Sequence, residues 1–94
     1  MNATGQFHTP HASKYLQQLA KHFSHKIEVS FTETDAELAL PPGSATLHAD
    51  NQTLTAHISA EDDAGLVRAK SIIDKHLERF AFRENFEAMD WQST

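Results

Sequence analysis

Histidine occupies seven of the 94 positions, and the spacing of three of those residues allows chemistry. His22 and His25 lie three apart at the end of an amphipathic stretch, so on a continuing helix they project from adjacent parts of one face. His76 lies in a second such stretch. If the two helices pack side by side with these ends close, all three imidazoles can share a metal. Neutral imidazole nitrogen suits zinc, iron, nickel or copper, which makes His22, His25 and His76 a candidate site for a transition metal, with Glu78 or Asp74 at hand to complete it. The simpler reading is structural, because histidines near helix C-termini favour the dipole and bridge helices by hydrogen bonds.

Arg79 and Arg83 are four apart, the spacing at which two guanidinium groups on one helix face can grip a carboxylate or phosphate. Internal ion pairs with Glu84, Glu87 or Asp90, tying the tail to the helix, are the competing expectation. Together His22, His25, His76, Arg79 and Arg83 are nominated as a surface for a small ligand or a partner. His8 and His11 are also three apart but flank a helix start. His48 and His57 fall on the polar side of adjacent strands, where with Thr46, Thr55, Glu28 and Ser30 they would line a shallow binding or homodimer face, or simply a solvated one.

Nothing in the chain spells out a reaction. It has no glycine-rich phosphate loop, no nucleophile elbow and no paired histidines four apart around a glutamate. Ser24 sits between His22 and His25, but neighbours on a helix end do not present a nucleophile, its base and an orienting group together. The protein reads as a binding or accessory domain rather than an enzyme, with no catalytic residue nominated.

The elements that must position these residues follow from hydrophobic period. Thr9-Pro10 suits a helix start, and Ala12, Leu16, Leu19, Ala20 and Phe23 recur at three and four. The period then becomes two. Ile27, Val29 and Phe31 mark one strand, and Ala36 to Leu40 a second, with Leu38 and Leu40 inward. Ala45, Leu47 and Ala49 mark a third, and Leu54, Ala56 and Ile58 a fourth. A turn at Asn51-Gln52 sets Ala49 opposite Leu54, Leu47 opposite Ala56 and Ala45 opposite Ile58, three apolar pairs on one face. Ser59 with Asp62 suggests the cap of a long second helix whose stripe is Leu66, Ala69, Ile73, Leu77 and Phe80, and which runs on to Glu84. Phe86 and Trp91 read as anchors for the tail.

These patterns predict an α+β fold, a two-layer sandwich ordered helix, four-stranded antiparallel meander, helix. Both helices lie on one sheet face, and the C-terminal tail packs as an edge strand or across the helices. Residues 1–94 form a single domain, with 1–8 polar and expected to fray. The formal net charge of −5 disfavours nucleic acid as a partner. The absence of cysteine removes disulfides and thiolate sites. Neither a secretory signal nor an apolar run long enough for a membrane span is visible, so a soluble cytoplasmic protein is expected.

His22-Phe23-Ser24-His25-Lys26, His76-Leu77-Glu78-Arg79-Phe80-Ala81-Phe82-Arg83-Glu84 and a late Asp90-Trp91 together resemble bacterial domain-of-unknown-function family 2218. The likeness spans nearly the whole chain, from Thr9-Pro10 to Trp91. It implies a sheet-and-helix fold similar to the last domain of phosphohexomutases and to the TATA-binding protein. Related domains lie beside or joined to siderophore-interacting ferric reductases, so the resemblance implies a link to iron–siderophore handling and such a reductase as partner. The flavin domain of those reductases is missing here, and the resemblance carries over no catalytic residue.

Overall fold

The computed structural model describes residues 1–93. A first strand, β1 (Asn2–His8), precedes helix α1 (Ala12–Phe23). Four strands follow: β2 (Val29–Phe31), β3 (Asp35–Leu40), β4 (Gly43–Ala49) and β5 (Thr53–Ser59). Helix α2 (Asp63–Phe80), a 3₁₀ turn (Phe82–Glu84) and strand β6 (Asp90–Ser93) complete the chain. The strands form one antiparallel sheet in the order β2-β3-β4-β5-β1-β6.

The expected two-layer α+β arrangement holds, and the register of the β4–β5 hairpin is the one its sequence dictates. Ala49 pairs with Leu54, Leu47 with Ala56 and Ala45 with Ile58. Carried across the sheet, this register aligns Val29, Leu38, Ala45, Ile58 and Ala3 in one row. Because alternate residues point to opposite faces, that row and its apolar neighbours make one continuous surface. Both helices cover it, with Leu16, Leu19, Ile73 and Leu77 fully buried beneath them.

The sheet has two strands beyond the meander. Residues 1–8, expected to fray, instead form β1 and pair on both sides, with β5 and with β6. The alternating residues Ala3, Gly5 and Phe7 are small or few, so the strand carries little apolar signal; its partners, in mid-chain and near residue 93, are distant in sequence. The α-amino group of Met1 donates to Ala60 O at 2.7 Å, and Ala60 N donates back to Met1 O at 2.8 Å, extending the ladder by a residue. The tail takes the edge-strand option as β6.

Helix ends also differ from expectation in detail. Asp62, not Ser59, caps α2, its carboxylate accepting from Gly65 N at 2.7 Å; Ser59 is the last residue of β5. His11 rather than Thr9 is the capping position of α1 and gives no side-chain cap, while buried Thr9 accepts from His11 N at 3.1 Å. Most consequential for the site, α2 stops at Phe80 instead of running to Glu84. Asn85 adopts a left-handed conformation (φ 57°) after the 3₁₀ turn, a conformation Asn tolerates better than most residues. That reversal sends Phe86 and Met89 into the core. No helix among the described residues is long and apolar enough to cross a membrane.

Candidate functional site at the joined helix ends

Tyr15, in the first turns of α1, meets Glu84 beyond the end of α2, whereas His22, near the end of α1, meets His76. The helices therefore run antiparallel, and the last turn of α1 lies beside the fourth turn of α2. The His22 and His76 rings are 4.8 Å apart between centres and inclined at 51°. Phe23 stacks obliquely on His76 at 4.6 Å, and Phe80 stands edge-on to His22 at 6.1 Å. Two imidazoles are thus held between two phenyl rings at the seam of the helices.

Their protonation is constrained. His76 Nδ1 lies 2.7 Å from Ile72 O, a carbonyl that can only accept, so Nδ1 carries the hydrogen and a neutral ring presents its lone pair at Nε2. Burial is the largest cause holding His22 below the usual histidine range; repulsion from His76, Lys26, Arg79 and His25 adds to it. His22 makes no hydrogen bond among the described residues.

The nominated residues do not all converge. His25 lies exposed in the turn after α1, near enough to act on His22 by charge but outside the ring cluster. Arg79 is exposed on α2 and lines, with Lys75, His76 and Glu78, an open groove of about 420 Å³. Arg83 is elsewhere. Because α2 has already ended, it sits on the 3₁₀ turn with its guanidinium over Phe82 at 5.6 Å, so the four-residue helical spacing from Arg79 does not apply. Among the described residues no three His, Asp or Glu side chains gather closely enough to hold a metal.

Nor, among the described residues, does an arginine form an ion pair with the tail. Asp74 secures it, accepting from Met89 N at 2.9 Å and from Trp91 Nε1 at 2.8 Å. Burial raises the Asp74 pKa above the usual carboxylate range, against the opposing effects of those two donors and Lys70. Asp74 is thereby occupied and does not complete an imidazole site. Glu84 accepts from the Tyr15 hydroxyl, and burial, reinforced by that carboxylate, pushes the phenol up to about 12. Phe86 and Trp91 are the tail anchors the sequence implied. Ser24 Oγ donates to Lys21 O at 2.7 Å, a helix-end bond.

The remaining histidines lie on the uncovered face of the sheet or at the start of α1. His48 and His57 are diagonal neighbours, opposite Thr55 and Thr46. His48 Nδ1 pairs with Asp35 at 2.9 Å, His57 Nδ1 with Thr4 Oγ1 at 2.9 Å, and His8 Nδ1 with Thr53 Oγ1 at 3.1 Å. His11 instead stands edge-on to Tyr15 at 6.4 Å, so the three-residue spacing to His8 brings nothing together. One feature gave no signal in the sequence: Gln18 Oε1 is buried with no hydrogen-bond partner among the described residues.

A family model described as an uncharacterized protein conserved in bacteria (DUF2218) matches residues 4–92. The NMR structure of PA4090 from Pseudomonas aeruginosa superimposes with a TM-score of 0.80 at 26% sequence identity, covering 97% of this chain and 94% of that one. No curated protein matches.

Proposed function

The chain belongs to this DUF2218 family of uncharacterised bacterial proteins, and on that footing we propose that it is a small non-enzymatic binding domain whose surface at the joined helix ends takes an anionic group. A single observation carries the reading: Lys75, His76 and Arg79 line one open groove with Glu78, beside the His22 ring 4.8 Å from that of His76, within a protein of net charge −5. Glu78 also lines this groove and is exposed. A local positive field on an acidic protein attracts anions to one place and repels them elsewhere. Arg79 supplies the planar donor fork suited to a carboxylate or phosphate.

The iron–siderophore role implied by the family resemblance would use the same surface, either for an anionic ferric siderophore or for an acidic patch on a siderophore-interacting reductase. Amide chemical-shift mapping at low salt, with citrate as the probe, tests the general reading. Shifts should concentrate at His22 to Lys26 and His76 to Arg79 and diminish in a Lys26→Gln/Arg79→Gln variant. Unmoved resonances at millimolar citrate would end the proposal. Failure to bind ferric siderophore or to associate with the reductase would remove only its iron version.

A further inference from the structure

We infer that the uncovered face of the sheet is a homodimer interface, closed by a two-fold axis that runs along the strands between β4 and β5. Both helices lie on one side of the sheet, and the other side faces solvent. The centre of that side has a distinctive composition. Although 22% of the chain is Asp, Glu, Lys or Arg, every outward side chain of β1, β4 and β5 is Asn, Gln, Ser, Thr or His. Each Lys and Arg lies on a helix, on the 3₁₀ turn or just after α1, and none on a strand. The centre of an interface is depleted of charged side chains in the same way. Short hydroxyl side chains also lose less rotamer freedom than Lys or Arg when covered. The longer ones are already ordered: Nδ1 of His8, His48 and His57 pairs with Thr53, Asp35 and Thr4 respectively, which lowers the cost of association.

Charge selects the axis. Glu28, Asp35 and Glu37 flank this centre on one side, at β2 and β3, and neither Glu28 nor Glu37 has an ion-pair partner among the described residues. An axis across the strands would lay β3 on its own copy and oppose these carboxylates with themselves. An axis along the strands instead lays β4 on β5, β3 on β1 and β2 on β6, an isologous contact. The carboxylates then meet Asn2, Thr4 and Gln6 of the second copy, beside its His57 and Gln92, all able to donate hydrogen bonds. Asp90, on β6, falls on the β2 edge near Ser30. Shape agrees with charge. A hollow of about 470 Å³ is lined by Glu28, Ser30, Glu37, Ala39, Ser44 and Thr46, and the same axis brings Asn2 of the second copy over Ala39. At about 4.8 Å per strand and 3.3 Å per residue, six strands of up to seven residues present about 500 Å². Two copies bury about 1,000 Å² in total, enough for a specific but weak and reversible dimer.

Sedimentation velocity between about 10 µM and 1 mM tests the inference. The mean mass should rise from 10.5 kDa toward twice that value, with a Kd of roughly 10⁻⁵–10⁻³ M. In a Thr46→Lys/Thr55→Lys variant the dimer would have to enclose ammonium groups from both copies beside the axis. Affinity should fall at least tenfold there, while circular dichroism shows the fold intact. Amide resonances of the wild type that move on dilution should lie on β1, β4 and β5. A wild type that stays monomeric at about 1 mM would overturn the inference, and so would a dimer that the two lysines leave intact. Dilution shifts confined to α1 and α2, or to a single sheet edge, would overturn it as well. If the variant does not fold, the dilution shifts of the wild type decide alone.

Discussion

Gly5 is where the fold makes its sharpest steric demand. It has no positive φ, so an alanine there incurs no backbone strain. An added Cβ would nevertheless lie 2.6 Å from Trp91 Cε3, 2.7 Å from Cζ3 and 2.9 Å from Cδ2, because the indole lies flat on Gly5 across the β1–β6 pairing. Ring carbons cannot yield as the end of a flexible chain does; the whole indole must move. Partial accommodation should cost about 1–3 kcal/mol, as overpacking does elsewhere. Full displacement would also break the 2.8 Å bond from Trp91 Nε1 to Asp74, about 1.5–3 kcal/mol for a charged acceptor. The expected loss for Gly5→Ala is therefore about 2–5 kcal/mol, a fall in Tm of roughly 10–30 °C for a domain of this size. The decisive comparison is a double-mutant cycle read by urea denaturation and circular dichroism. In a Trp91→Ala background the clash is gone and only reduced unfolded-state entropy remains. Gly5→Ala should then be neutral or stabilising by about 0.4–1 kcal/mol. An equal loss in both backgrounds, or no loss in the wild type, would refute the steric account.

Four further outcomes follow from the same geometry. Asp74 has a folded pKa raised above 3.8 by burial, so the folded state holds its proton at higher pH than the unfolded chain does. Its contribution to stability therefore falls as pH rises from near 4 through the raised pKa, and Asp74→Asn should remove that slope from the pH–stability curve. Ultraviolet titration should place Tyr15 ionisation near 12, and Glu84→Gln should bring it down; an unchanged midpoint would detach the phenol from that carboxylate. Tyr15→Phe should cost about 1–2 kcal/mol in denaturant melts by leaving Glu84 without its donor. Lys26→Gln and Arg79→Gln should each raise the His22 pKa toward 6.5, since both cations depress it, and proton NMR of the ring would report the shift.

The central hairpin was fully legible because its determinants are local. Turn residues at Asn51-Gln52 and a strict alternation on either side permit one register, and a one-residue slip would turn Leu47, Ala49 and Leu54 toward water. The stripe from Leu66 to Leu77 is legible for the same reason at period 3.6. β1 was not. Ala3 and Gly5 have almost no hydrophobic weight, and what makes Asn2–His8 a strand is the pairing with Thr53–Ser59 and Asp90–Ser93. The end of α2 was hidden too. Ala81, Phe82, Arg83 and Glu84 have no breaker among them, and burial of Phe86 and Met89 overrides their local preference.

By itself, then, the chain determined most of the residues that face the core (though not Ala3, and it set Phe31, which is exposed, among them), that helices cover one side of an antiparallel sheet, and that imidazoles and cations crowd two helix ends. Period and turn chemistry are properties of neighbours in sequence, and they suffice for that much. Tertiary structure alone decided that His22 meets His76 while His25 and Arg83 stand apart, and that Asp74 rather than an arginine secures the tail. Those outcomes depend on the antiparallel docking of two helices and on a reversal at Asn85, both fixed by packing between residues far apart along the chain.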